Sequence, residues 1–191
     1  MRSISWFSQE KPQMQLSIIG CPDKKRFRPF VKRAAIFYAE QLMTPKMLEN
    51  IYVQIKFDPK LDALGYADVL NYNESNKPRE FQIELNPIIG SHDILETLAH
   101  EMVHIKQYAY IEMNEFGTRW RGQRITENMD YYDEPWEIEA HGLSTGLFTK
   151  FAIKEKLWEV FSDVRNPDAP LSPEPIAWKN IPQITIDNQP I

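Results

Sequence analysis

The 191-residue sequence predicts a small α+β fold in which an N-terminal helix packs on a sheet of three mostly antiparallel strands. Apolar residues recur at helical spacing over residues 24–43 and again from residue 91 onward. A further helical stretch follows Pro135 and runs to about Val164. Between the first two helices, three stretches alternate apolar and polar residues as half-buried strands do: residues 50–58, 65–73 and 80–86.

Composition places the chain among soluble globular proteins, with 42% hydrophobic and 26% charged residues. The net charge of −5 argues against a protein that coats nucleic acid. Cys21 is the only cysteine, which excludes an internal disulfide and any cysteine-rich zinc module. The N-terminal stretch lacks the apolar segment of a secretory signal, and no apolar run is long enough to cross a bilayer. We therefore expect a cytoplasmic protein with no membrane partner.

The first helix is expected to follow an irregular arm over residues 1–23, which are mixed in character and contain two prolines. The regular part of the helix should begin near Pro29, because proline is favoured in a first helical turn. Six lysines and arginines lie within residues 24–33, interleaved with aromatic residues. We interpret them as the solvated face of the helix rather than as a DNA-binding site, because the protein as a whole is acidic.

The strand over residues 80–86 shows the cleanest alternation of the three and ends at an Asn-Pro pair. Phe81, Ile83 and Leu85 share one face of it. We predict that this strand is the sheet edge over a cleft, where an extended peptide adds by backbone hydrogen bonds and these three residues contact it. An edge strand without a ligand is the simpler alternative.

The next helix, capped by Ser91 or Asp93, contains the sequence HEMVH. Its two histidines, His100 and His104, are four residues apart and so share a helix face, where both imidazoles can bind one ion. Glu101 lies about 100° further round the helix and can reach a water molecule on that ion without ligating it. Zinc suits imidazole ligands and has undemanding geometry, so one Zn²⁺ ion is predicted. A chance occurrence of the spacing is the competing reading.

A catalytic zinc needs a third protein ligand and an open fourth position. The sequence PWEIEAHG, residues 135–142, offers Glu137 just after a helix-starting proline, where its carboxylate can point across the core. Glu139 falls on another face of this helix, and we expect it to be solvated. A break in the helix is expected near residues 142–146, which begin and end with glycine.

Between the two metal motifs, residues 117–126 predict a hairpin or ordered loop that could wall the cleft, although its Trp120 is equally well explained as core. Four residues are candidates for a further hydrogen-bond donor to a transition state: Tyr131, Tyr132, Arg121 and His141. We favour Tyr132 as a catalytic residue over Tyr131, Arg121 and His141.

HExxH followed by EIEA resembles the glutamate zincins, a family of zinc peptidases. The resemblance implies that Glu137 is the third ligand and that Ala140 is the small residue that lets the two helices approach. Where that family often has a supporting acid, this chain has His141, which could support the site, donate to a transition state or replace Glu137 as ligand. We favour Glu137, because it stands at the position of that family's third ligand.

The front half of the chain, over about residues 24–110, resembles the SprT-like metalloproteases in the sequence segments IELN and LETLAHEMVH. The family's third histidine is missing, since no histidine lies between His104 and His141. Most of the domain is also similar to uncharacterised zincin-like proteins of tailed phages, which would place the protein in a host cytoplasm or a virion.

These resemblances imply a minimal zincin-like domain over residues 24–164 that acts as a zinc-dependent endopeptidase on a protein or peptide substrate, with Glu101 as general base. A structural or virion-associated interaction protein is the alternative, because the proline-rich tail of residues 165–191 could dock a protein partner. A closed, purely structural zinc site is a third reading, although Glu101 would then be superfluous.

Overall fold

The computed structural model describes residues 13–125 and 129–166. Within them the chain is α+β, as predicted, with a mixed four-stranded sheet and a small two-stranded one. Its four helices are α1 (Arg28–Leu42), α2 (Pro45–Leu48), α3 (Ser91–Ala109) and α4 (Pro135–Glu155). The main sheet contains β1 (Gln15–Ile19), β2 (Tyr52–Phe57), β3 (Gly65–Tyr72) and β4 (Pro78–Leu85). The smaller sheet pairs β5 (Arg119–Trp120) with β6 (Gln123–Arg124).

The main sheet differs from the expected one in both size and direction. Its order is β1-β2-β4-β3, with β1 and β4 parallel to β2 and only β3 antiparallel. The prediction of three mostly antiparallel strands was therefore wrong. The added strand, β1, lies inside the expected irregular arm and pairs with β2, Leu16 facing Val53. A parallel pair needs a crossover connection, which α1 and α2 provide between β1 and β2.

The predicted edge strand is in fact central, because β4 lies between β2 and β3. Phe81, Ile83 and Leu85 are completely buried under the helices. They form the floor of the core and cannot contact a substrate, so their predicted substrate-binding role was wrong. The edge beside α3 is instead β3, which the sequence indicated more weakly because its exposed face carries apolar and aromatic residues, including Tyr66 and Leu70.

The long helix α3 packs on β3 and β4, and α1 and α4 both pack against α3. Its N-cap is Gly90, and neither Ser91 nor Asp93 caps it, contrary to expectation. The acceptor comes from far along the chain: Asp163 Oδ2 accepts a hydrogen bond from the His92 backbone N–H at 3.0 Å. A methyl group on Gly90 would lie 2.6 Å from that oxygen, so a larger residue there would displace the Asp163 carboxylate from this contact.

The helix α4 runs without a break through both of its glycines, contrary to the expected interruption. Its buried face packs on α3 and, through Phe151, on Phe37 and Tyr38 of α1. This burial stabilises the helix despite the glycines, since tertiary packing supplies most helical stability in proteins. It ends at Lys156, whose φ of 50° is left-handed.

The predicted hairpin is confirmed as β5 and β6, joined by Arg121 and Gly122 with φ of 47° and 83°. Two successive positive φ angles suit the tight turn between antiparallel strands. Trp120 is half-buried near Trp136 of α4, with ring centroids 6.4 Å apart. The proposed tail interaction falls almost wholly on residues 167–191, outside the described residues. Across the described ranges, no helix is both long and apolar enough to cross a membrane.

The remote cap on α3 generates a stability prediction. Asp163→Ala removes the acceptor of the His92 N–H, and we expect the free energy of unfolding to fall by about 0.5–1 kcal/mol, the lower part of the range for lost helix caps. Urea denaturation measures this. Asp62→Ala removes an exposed aspartate elsewhere and should leave stability within about 0.5 kcal/mol. Equal losses in the two variants would contradict the assigned cap.

Candidate metal centre

Three side chains from two helices bring their donor atoms together. His100 and His104 of α3 and Glu137 of α4 offer donor atoms that all lie within 4.8 Å of one another. His100 Nε2 is 3.1 Å from His104 Nε2 and 3.2 Å from Glu137 Oε2, and His104 Nε2 is 3.2 Å from Glu137 Oε1. The group predicted from HExxH and EIEA is therefore assembled and could hold a metal ion.

The spacing of these atoms fits a small tetrahedral cation. Zinc bonds of about 2.0–2.1 Å at tetrahedral angles place neighbouring ligand atoms about 3.3 Å apart. The imidazole–imidazole and imidazole–carboxylate separations are 3.1–3.2 Å. Two imidazoles and one carboxylate are also a ligand set that zinc uses in catalytic sites.

Helix packing explains why the group forms. The i, i+4 spacing puts both histidines on the face of α3 that meets α4. Glu137 lies in the first turn of α4, two residues after Pro135, and is 6% exposed. One turn later Ala140 is completely buried, consistent with its predicted role as the small residue that lets the helices approach.

His104 is held in one tautomer by Gln107, a fully buried residue one turn further along α3. The two N–H groups of the Gln107 amide donate to the backbone oxygen of Trp136 at 3.0 Å and to Glu139 Oε2 at 2.9 Å. Gln107 Oε1 must therefore face His104 Nδ1, 2.8 Å away, and accept its proton. In the neutral ring the lone pair of His104 is then left on Nε2, which points at the donor group as a metal ligand requires.

Glu139 anchors this arrangement, so the expectation that it is solvated was wrong. Besides Gln107, its carboxylate accepts from Lys106 Nζ at 3.1 Å and from Arg121 Nη2 at 2.7 Å. Burial alone would raise the pKa of Glu139, but the hydrogen bonds from Gln107 and Lys106 lower it below its usual value. The carboxylate therefore stays ionised and ties α3, α4 and the hairpin together behind His104.

Electrostatics support a cation between the three donors. Burial lowers the pKa of His100, which favours its neutral, ligating form. Burial opposes ionisation of Glu137, yet hydrogen bonds with His100 and His104 hold its pKa well below the usual value. For His104 burial lowers the pKa, but the contact with Glu137 and the charge of Glu101 raise it overall. Glu137 therefore stays ionised although it is buried, and its negative charge lies where a cation could bind.

Glu101 faces the same space without joining the donor group. It is 5% exposed and accepts no hydrogen bond from any residue in the described ranges. Burial raises its pKa to about 7, so it can both accept and release a proton near neutral pH. A methyl group on Gly65, the first residue of β3, would lie 2.8 Å from Glu101 Oε1 and 2.5 Å from Thr97 Cγ2. The glycine allows the strand to pass directly over this carboxylate.

His141 lies beside the centre but outside the donor group. Its Nε2 is 3.9 Å from Glu137 Oε2, its side chain is half-exposed, and its ring lies 4.6 Å from that of His100. The structure therefore brings Glu137, rather than His141, together with the two histidines of α3.

The two tyrosines before α4 differ in their contacts. Tyr131 O–H donates to Glu137 Oε2 at 2.6 Å, an interaction that helps to aim the carboxylate. Tyr132, the favoured catalytic candidate, is 76% exposed and lines the cleft beside His141, but among described residues it makes no hydrogen bond. Its catalytic role stays a prediction. Arg121 pairs with Glu139 and lies outside the cleft lining.

The donor group opens into a cleft with two halves, which meet at His100 and Glu101. We call them the Thr145 half, of about 420 Å³, and the Trp136 half, of about 510 Å³. Gly65 and Tyr131 line both halves. The cleft therefore extends to either side of the centre, as a chain-like substrate would require.

Comparison of the chain with protein-family models, curated proteins and solved structures found no match. Gln107 and Glu139 support the candidate centre through hydrogen bonds, and the sequence did not predict either of them as part of it. A weak signal existed for Gln107, since it lies three residues after a ligand on the same helix face, but its partners on α4 could not be foreseen.

The tautomer assignment generates a prediction about metal affinity. Gln107→Leu has a similar volume but cannot accept the His104 proton, and we expect zinc affinity to fall about 10–100-fold, as for other lost partners of ligating histidines. Competition with a chromophoric chelator measures this. Gln41→Leu, at an exposed position on α1, is the control and should bind zinc normally. Unchanged affinity in a folded Gln107→Leu protein would refute the assignment.

Proposed function

We propose that the chain is a zinc-dependent metallopeptidase with a minimal zincin-like domain, which hydrolyses peptide bonds. The observation that carries the proposal is the position of Glu101, a buried and unpartnered carboxylate beside a three-donor group. An open cleft on both sides of this pair agrees with a polymeric substrate. The order of elements, with a helix and sheet before HExxH and a glutamate helix after it, also supports the proposal.

His100, His104 and Glu137 would hold the ion. When bound, zinc supplies Lewis acidity, which lowers the pKa of water and polarises a carbonyl group. Gln107 and Tyr131 would orient His104 and Glu137 for this task through the hydrogen bonds described above. The three ligands leave one side of the group open to the cleft.

Glu101 would act as the general base and then as the general acid. It accepts a proton from the attacking water, whose oxygen bonds to the scissile carbonyl carbon. The same proton then passes to the amide nitrogen as the C–N bond breaks, which releases a carboxylate and an amine. A pKa near neutrality suits both steps, because the carboxyl can exchange protons in either direction.

The edge strand β3 would hold the substrate backbone, in the role first expected of β4. Within the described sheet, β3 pairs only with β4, so its outer edge is free of strand partners. Gly65, Tyr66 and Ala67 of β3 line the Trp136 half of the cleft. An extended peptide added there by backbone hydrogen bonds would pass over Glu101.

A closed structural zinc site is the competing function. Such a site would not need a cleft at the ligands or an unpartnered acid beside them. Glu101 lines the cleft, is not one of the three donors, and has no hydrogen-bond partner among the described residues. These observations favour catalysis over a structural role.

Two variants separate the base from the third ligand. Glu101→Gln should keep about one zinc per chain but lose hydrolysis of an unfolded protein by at least about 100-fold, because general-base catalysis contributes about 10²–10⁴-fold. Glu137→Ala should lose zinc at concentrations that saturate the wild type. Metal analysis and proteolysis of denatured casein measure the two effects. The control Glu49→Gln changes an exposed glutamate at the end of α2 and should alter neither.

Either of two results would refute the proposal. The first is a zinc-loaded wild type that cleaves neither unfolded protein nor a peptide library. The second is full hydrolytic activity in Glu101→Gln.

The close approach of β3 to Glu101 generates a separate prediction. Gly65→Ala places a methyl group against both Glu101 and Thr97, and we expect kcat to fall about 10–100-fold, because small displacements of catalytic groups are costly. The double variant Gly65→Ala/Thr97→Ser removes the methyl clash with Thr97 but keeps the clash with Glu101, and it should stay slow. Gly142→Ala, where an added Cβ meets nothing within 4 Å, is the control. Full activity in the double variant would exclude displacement of Glu101.

A further inference from the structure

The charge of the cleft is strongly one-sided. Apart from Glu101 and Glu137, four carboxylates line it: Asp93 and Glu96 in the Thr145 half, and Glu115 and Glu134 in the Trp136 half. No lysine or arginine is among the described lining residues of either half. The four carboxylates outside the centre therefore make the lining of both halves acidic.

Among the described residues, the four carboxylates have only one histidine, His92, as a neighbour that can carry positive charge, and it lies beside Asp93 and Glu96. Within the described residues their hydrogen bonds are with neutral side chains or with histidine: Glu96 accepts from Thr145 Oγ1, Glu134 from Trp136 Nε1, Glu115 from Tyr72 O–H, and Asp93 lies 3.0 Å from His92 Nδ1. None of them pairs with a lysine or arginine there. Their negative charge is therefore free to act on whatever enters the cleft.

Each half also has an exposed aromatic ring in its lining. Tyr132, 76% exposed, lines the Thr145 half, and Tyr66, 56% exposed, lines the Trp136 half. A lysine or arginine side chain can pack its stem on such a ring and place its cation over the ring face, near the carboxylate. Both halves thus combine acidic and aromatic lining residues, the two kinds of group that contact a cationic side chain.

A second observation points to a ligand in the cleft. Glu101 is 5% exposed, lines both halves, and has no hydrogen-bond partner among the described residues. No buried side-chain oxygen in these residues is left without a partner, so the Glu101 carboxylate oxygens reach the cleft, where an incoming group can contact them. The acidic lining therefore surrounds a carboxylate that is open to a ligand.

We propose that the cleft selects cationic polypeptide segments, with lysine or arginine on both sides of the bond to be cleaved. This inference rests on the proposed peptidase function. A substrate of opposite charge would also be drawn to the cleft before contact, because low-dielectric walls focus the field of clustered charges.

The test compares quenched octapeptides that share a central dipeptide and differ only in their flanking residues, which are lysine, glutamine or glutamate. We expect the lysine peptide to have the highest kcat/KM, at least about 5-fold above the glutamine peptide, with the glutamate peptide lowest. The preference should weaken as salt rises from 0.05 to about 0.5 M, because salt screens exposed charges.

Matched variants locate the source of this preference. Glu96→Gln/Glu134→Gln removes one charge from each half while keeping both hydrogen-bond acceptors, and it should reduce the lysine-to-glutamine ratio by at least half. Glu40→Gln/Glu49→Gln removes two charges at exposed positions outside the cleft lining and should leave the ratio unchanged. An equal ratio for wild type and the cleft variant would overturn the proposal.

A binding measurement keeps this inference separate from the proposed function. Fluorescence anisotropy with zinc-loaded Glu101→Gln and the labelled lysine and glutamate peptides reports recognition without catalysis. Cleavage without charge preference would refute the cationic selectivity alone. No cleavage, combined with selective binding of the lysine peptide, would refute the peptidase function and leave the selectivity standing. If the protein shows no cleavage and no selective binding, both the peptidase function and the cationic selectivity are overturned.

Discussion

The packing of α4 against α3 is the constraint on which the centre depends. It carries Glu137 to within 3.2 Å of both imidazoles, and it lets Gln107 reach α4 while holding His104 in the ligating tautomer. A buried carboxylate beside one buried and one partly buried imidazole costs free energy unless these groups are paired. The same close contact that creates this cost places the donors where a cation relieves it, so the fold and the metal site favour the same arrangement.

The edge of the sheet determines the surroundings of Glu101. Because β3 begins with Gly65, its backbone passes over Glu101 without a clash, which buries the acid and still leaves it open to the cleft. Burial shifts the carboxyl toward a pKa suited to proton transfer. In the proposed peptidase, the edge of β3, which has no strand partner within the described sheet, and the acidic, aromatic walls would select the chain that reaches that carboxyl. Catalysis and selectivity would then arise from neighbouring surfaces, and each could be altered without the other.

Much of the domain could be predicted from periodicity, because helices and strands are encoded by neighbouring residues. The helices α1 and α3 and the strands β2, β3 and β4 occur close to their expected positions. The strand β1 was missed, since its five residues carry too short a pattern and are defined by pairing with β2. Sheet order failed for the same reason: alternation shows that one face is buried, but not which neighbours a strand has.

By itself the sequence determined that His100, Glu101 and His104 lie on adjoining faces of one helix, because i, i+4 geometry is local, and it indicated Glu137 through its proline-led helix. Only the tertiary structure decided that Glu137 rather than His141 joins the histidines, that Tyr131 rather than Tyr132 contacts it, and that β3 rather than β4 borders the cleft. Those outcomes depend on how α4 is rotated against α3 and on strand order. Both are set by contacts between residues far apart in the chain, which no local pattern records.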